Sequence, residues 1–164
     1  MTFLLGFVSA IVSALSLAPA ATATITVTGG PHAGSYTLEA AAPCEIESHE
    51  SPKPKHSFSI MLGAPGADGK SIENPKVMTV MALRVPDADH GSGNGQFFSE
   101  MAFGDPPSHG THYAVETRSG AKSSGSGTVT IAQHGAQATV NFDVKTADGV
   151  QFKGVIQCSR LLRD

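Results

Sequence analysis

The sequence predicts an all-β protein: an antiparallel β-sandwich, or a small barrel, of about nine short strands with one disulfide. Apolar and polar residues alternate with period two along most of the chain after residue 23, where helical periodicity is hard to find. Turn-forming residues interrupt this alternation, with 18 Gly and 10 Pro among 164 residues. Many short strands separated by such turns are typical of sandwiches and barrels.

The period-two segments give the predicted strands in chain order. In the first, residues 24–28, Ile25 and Val27 alternate with threonines, and a Gly-Gly-Pro turn follows. The other predicted strands show the same alternation between stretches rich in Gly, Pro, Asp and Ser. They are residues 35–40, 57–62, 77–85, 96–103, 111–117, 128–133, 138–144 and 150–158.

The last three strands are predicted to form an antiparallel meander. A His-Gly pair separates the first two, and an Asp-Gly pair, a strong hairpin signal, separates the last two. The Ser- and Gly-rich residues 119–127 before the meander are predicted to be a flexible polar loop. In the final strand, alternate residues form one apolar face that points inward. These residues are Val150, Phe152, Ile156 and Cys158.

The two cysteines, Cys44 and Cys158, are predicted to form a structural disulfide. An even pair in a small exported domain most simply forms a bridge. The alternative is a redox or metal-binding pair of thiols, but the sequence has no Cys-x-x-Cys spacing to support it. The bridge would fasten the early part of the chain to its last strand.

The first 23 residues predict a secretory signal peptide. They contain no charged side chain, residues 3–17 form an apolar run, and an Ala-Thr-Ala cleavage site occupies residues 21–23. The alternative is an uncleaved membrane anchor, but the run is shorter than the roughly 20 residues that span a bilayer. We therefore expect cleavage after Ala23, a single domain over residues 24–164 without a membrane span, and a secreted or periplasmic location.

Composition and motifs exclude several function classes. The formal net charge of −3 gives no basic surface for nucleic acid, and a 40% hydrophobic composition is too high for a disordered chain. The sequence has no Gly-x-Ser-x-Gly nucleophile motif. No catalytic residue is predicted. No cofactor is predicted either, although a metal ion is an alternative for which the sequence offers candidate ligands.

Histidines are the enriched reactive residues, seven in all. His109 and His112 lie close together, but neighbouring Pro and Gly exclude a helix, so the two imidazoles would have to converge in a loop. If their segment is extended, Glu45, Glu47 and His49 line one face and could bind a divalent ion. The alternative for this second set is a solvated charged rim beside the disulfide.

The strand over residues 77–85 is the strongest pointer to function, because both of its faces are apolar. A sandwich covers only one face of each sheet. The second face is either covered by residues 63–75 or 104–112, or left as an apolar patch that a ligand or second subunit covers. The residues of this second face and one phenylalanine of the next predicted strand form the predicted binding surface. They are Met78, Val80, Ala82 and Phe98.

The sequence as a whole favours an exported β-domain that acts as a binding or structural module. Its partner would be a hydrophobic ligand, another protein or a second copy of the chain. Two alternatives stay open. One is a zinc- or copper-binding protein, or a metal-dependent enzyme, that uses the histidines. The other is a secreted enzyme inhibitor that presents residues 105–112.

Overall fold

The computed structural model describes residues 18–49, 55–64, 76–90, 95–104, 110–117 and 123–164. These ranges contain eleven β-strands and one short 3-10 helix, Ala88–His90. The strands are β1 Ala21–Thr28, β2 Gly34–Ala40, β3 Cys44–His49, β4 Lys55–Gly63, β5 Met78–Val85, β6 Phe97–Phe103, β7 Thr111–Thr117, β8 Gly125–His134, β9 Gln137–Thr146, β10 Gln151–Cys158 and β11 Leu161–Arg163.

Nine strands form one continuous antiparallel sheet in the order β7-β6-β5-β4-β2-β1-β10-β9-β8. The sheet curls until its two edge strands, β7 and β8, meet. There the Ser124 amide donates to the Glu116 carbonyl at 3.0 Å, and the Glu116 amide donates to the Ser124 hydroxyl at 2.8 Å. The all-β prediction is confirmed, and of its two architectures the nearly closed barrel is the one observed. Closure satisfies edge groups that would otherwise face solvent.

The interior of this barrel is the hydrophobic core. Alternate residues of each long strand point inward, so β1 and β9 show regular alternation between buried and more exposed positions. The largest fully buried side chains are aromatic and come from β4, β6 and β10: Phe58, Phe97, Phe103 and Phe152. The buried apolar side chains of the described strands form one continuous core.

The meander β8-β9-β10 is confirmed, but β8 is longer than predicted. It begins at Gly125, inside the segment expected to be a flexible loop. Gly127 pairs with Val144 at a φ of 150°, and a Cβ there would collide with the carbonyl oxygen of Asp143. The glycine therefore permits a close backbone approach between strands, which its loop-like sequence surroundings do not reveal.

Two strands lie outside the nine predicted ones. β3 pairs antiparallel with β4, and the three-residue β11 pairs parallel with β3. The predicted disulfide is present between Cys44 in β3 and Cys158 at the end of β10, with a Cα–Cα distance of 5.9 Å. Both cysteines are buried. The bridge thus attaches the β3-β11 pair to the last long strand of the barrel.

β5 contains an irregularity that changes which residues face the core. Its register with β6 shifts between Met78 and Val80, the signature of a β-bulge. Beyond the shift Met81, Leu83 and Val85 are buried, whereas before it the buried residue is Met78. The bulge therefore reverses the side on which Met78 lies.

In the described part of the chain, no helix has the length and apolar character needed to cross a membrane.

Removing the disulfide is expected to destabilise the protein strongly. The bridge closes a loop with a sequence separation of 114, so its loss frees a long segment of the unfolded chain. Replacing both cysteines by alanine should lower the free energy of unfolding by roughly 2–5 kcal/mol. Urea unfolding of the oxidised protein and the double variant would measure this difference. Equal midpoints with equal slopes would contradict a stabilising role for the bridge.

Candidate functional site

The outer face of β4, β5 and β6 carries two rows of side chains that cross the sheet. The register places Ser59, Arg84 and Phe98 side by side. The next outward row contains Met61, Ala82 and Glu100. Met61 is 67% exposed, which is unusual for a large apolar side chain, and Phe98 is half-buried. Apolar and charged groups therefore alternate across this face.

A groove of about 480 Å³ runs over these rows. A second groove of about 290 Å³ adjoins it and shares Arg84 and Phe98 with it. The larger groove has an apolar floor and a rim that carries carboxylates and one guanidinium. Its main lining residues are Pro43, Glu45, Met61, Ala82, Phe98 and Glu100. We call this feature the outer groove.

Ionisable side chains contact one another on two sides of the outer groove. His112 Nε2 lies 2.6 Å from Glu100 Oε1, which ties the acidic rim to β7. On the other side Arg84 Nη2 lies 3.5 Å from His49 Nε2, and His49 Nε2 is 3.8 Å from Glu47 Oε2. All of these side chains are substantially exposed, so their ion pairs contribute little to stability. They are available to shape the electrostatics of a binding surface instead.

Three members of the predicted binding surface share this outer face. Val80, Ala82 and Phe98 are each half-buried, and the last two line the outer groove. Met78 does not belong with them, because the bulge turns it inward and leaves it 1% exposed. Strict period-two alternation placed Met78 beside Val80, and the extra residue in β5 breaks that alternation. Residues 65–75 and 105–109, which were considered as a cover, lie outside the described residues.

The predicted metal ligands do not form a metal site in the described ranges. Glu45, Glu47 and His49 do lie in an extended strand, β3, which was the condition for their sharing one face. Nevertheless, no group of three or more His, Cys, Asp or Glu side chains there is arranged to hold an ion. His112 contacts Glu100, and His109 lies outside the described residues. Residues 105–109 of the segment considered for an inhibitor also lie outside them.

Sequence reasoning missed a buried aromatic cluster at one end of the barrel. The His32 ring stacks on Phe103 with ring centroids 4.3 Å apart, and its Nδ1 lies 3.1 Å from the hydroxyl of Tyr113. The Tyr36 hydroxyl donates to the His32 carbonyl at 2.8 Å, and Phe152 packs against Tyr113. His32 is only 7% exposed. Because His32 and Tyr113 are 81 positions apart, no local pattern could have linked them.

Burial raises the pKa of both tyrosines in this cluster. For Tyr113 desolvation is the main cause, and the nearby negative charge of Asp148 and the Tyr36 phenol act in the same direction. For Tyr36 the cause is desolvation alone. The phenols therefore stay protonated and retain their hydrogen bonds. The geometry indicates that the cluster packs the end of the barrel.

Comparisons with known proteins give no relative on which to base a function. No protein-family model matches the chain, and no curated protein or solved structure is significantly similar to it. A functional conclusion therefore depends on the outer groove and the fold.

A charge at Met78 is expected to unfold the protein. Met78→Asp removes a buried apolar side chain and puts a carboxylate in the core, so it should cost more than the roughly 2–5 kcal/mol of a truncated core methionine. The matched control is Ala82→Asp, which places the same group on the outer face and should leave the fold intact. Circular dichroism with thermal unfolding would compare them. A folded Met78→Asp protein would contradict the inward orientation.

The raised tyrosine pKa values predict a loss of stability in alkali. Above about pH 10 the phenols of the unfolded chain ionise while the folded ones stay protonated, so the unfolded state binds fewer protons and stability falls as pH rises. Tyr113→Phe should reduce this fall, because it removes one ionising group from both states. Urea unfolding from pH 8 upward, with tyrosinate absorbance followed in parallel, would measure it. Identical pH slopes for both proteins would contradict the prediction.

Proposed function

We propose that this chain is an exported binding module and that the outer groove is its binding surface. The observation that carries the proposal is an open apolar groove in which Met61 is 67% exposed and Phe98 is half-buried. Methionine and aromatic residues are enriched at the centres of protein interfaces, where their apolar area becomes buried on binding. We assign no catalytic step to this surface.

Two features support the export part of the proposal. The buried bridge between Cys44 and Cys158 is the kind of cross-link that persists in oxidising compartments and is rare in the cytosol. The uncharged, apolar residues 1–23 have the composition of a secretory leader. A small disulfide-linked all-β fold is compatible with an extracellular module.

The chemistry of the outer groove favours a protein segment as its partner. Glu45 and Glu100 contribute carboxylates to the rim, whereas Ala82, Phe98 and Met61 provide apolar surface between them. An extended peptide with an apolar side chain next to a lysine or arginine would complement both features. Small molecules are usually held in concave sites that bury most of their surface, and an open groove on a sheet is less suited to them.

A random peptide library displayed on phage would test this function directly. Selection on the immobilised, oxidised protein should enrich peptides that carry an aliphatic or aromatic residue beside a basic one. Met61→Glu should weaken their binding about tenfold or more, because a charge replaces an apolar anchor. Since Met61 is exposed, this substitution should not affect folding, which thermal unfolding would check.

The matched control is Ala132→Glu, which adds the same charge at an exposed apolar side chain on β8, outside the lining of the outer groove. It should bind the selected peptides as the unaltered protein does. Failure to enrich any peptide, or equal loss of binding in both variants, would contradict the assignment of the outer groove. Enriched peptides that lack basic residues would contradict the role given to the carboxylates.

A further inference from the structure

Two Ala-x-Ala sites lie next to each other at the end of the apolar leader. The first is Ala-Pro-Ala at residues 18–20, and the second is Ala-Thr-Ala at residues 21–23. Small residues at the first and third positions suit cleavage by a leader peptidase, so each motif is a possible processing site. The motifs alone do not distinguish them. The structure does, because it places them differently with respect to β1.

The second motif is the start of β1, a strand that lies between β2 and β10. Ala21 pairs with Ala40 on one side and Cys158 on the other, and Ala23 pairs with Leu38 and Ile156. Ala21 and Ala23 are each 1% exposed, so both methyl groups belong to the core. Cleavage after Ala23 would remove the first three residues of an eight-residue strand.

That loss would affect both neighbouring strands at once. The ends of β2 and β10 would lose their partners over three register positions each. Backbone groups left without partners are costly unless water reaches them, and two buried methyl positions, opposite Cys158 and Ile156, would become empty.

The first motif lies at the margin of the sheet. Ala18 is exposed, whereas Pro19 and Ala20 are half-buried. Ala20 makes its contacts just beyond the end of β1: its amide donates to the Ala40 carbonyl at 2.8 Å, and its carbonyl accepts from the amide and the hydroxyl of exposed Ser159 at 2.9 and 2.8 Å. Water can replace these contacts at an exposed edge. Cleavage after Ala20 would leave every residue of β1 in place.

We propose that the leader is removed between Ala20 and Ala21, so that the mature chain begins with the first residue of β1. Water hydrolyses the peptide bond, which gives a carboxylate on Ala20 and an ammonium group on Ala21. This inference rests on the proposed export and revises the junction expected after Ala23. The proposed cleavage site therefore coincides with the start of the folded domain.

The test uses the full chain with its own leader, expressed in a host that exports it. Intact mass and N-terminal sequencing of the exported protein should give Ala21 as its first residue. Ala18→Gln puts a large side chain at the first position of the proposed site and should abolish cleavage there. The matched control Pro19→Gln changes only the middle position, which tolerates variation, and should be processed normally.

The possible outcomes separate this inference from the proposed function. An exported protein that begins at Thr24, with unchanged processing of the Ala18→Gln variant, would overturn the junction while supporting export. A chain that keeps Met1 and stays inside the cell would overturn both. An exported protein that begins at Ala21 and depends on Ala18 would confirm the junction.

Discussion

Curling of one sheet around a single apolar interior is the constraint on which the rest of this structure depends. Every long strand must supply alternate apolar residues to the same core, and the sheet is completed where the backbones of Glu116 and Ser124 meet. In this arrangement the outward-facing side chains of each long strand do not pack in the core. The outer groove is a consequence, because the outward residues of β4, β5 and β6 are not needed for the core.

The disulfide and the β3-β11 pair extend the barrel. β3 carries a row of acidic and histidine side chains on its exposed side and the buried Cys44 on its inner side. Pairing of β3 with β4 places Glu45 beside Ser59, so that Glu45 lies on the rim of the outer groove. The disulfide lies beside the start of β1, because Ala21 pairs with Cys158. One covalent link therefore lies close to both the proposed binding surface and the proposed processing junction.

The described histidine contacts indicate packing and surface charge. His32 is enclosed by aromatic rings, whereas His112 and His56 each face a carboxylate, Glu100 and Asp89 respectively, within hydrogen-bonding distance. Pairs of this kind adjust local electrostatics at little cost in stability. Of these pairs, the one between His112 and Glu100 lies at the outer groove, where it places charge beside apolar side chains.

The sequence by itself determined the nine main strands and the disulfide, because period-two alternation is a local pattern and two cysteines offer a single pairing within the chain. Only the tertiary structure decided between sandwich and barrel, turned Met78 inward through a bulge, added β3 and β11, and brought Met61 beside Ala82 and Glu100. It also extended the first strand back to Ala21. The physical reason is that strand register, bulges and closure depend on pairing between segments far apart in the chain, whereas alternation reports only which face of a strand is apolar.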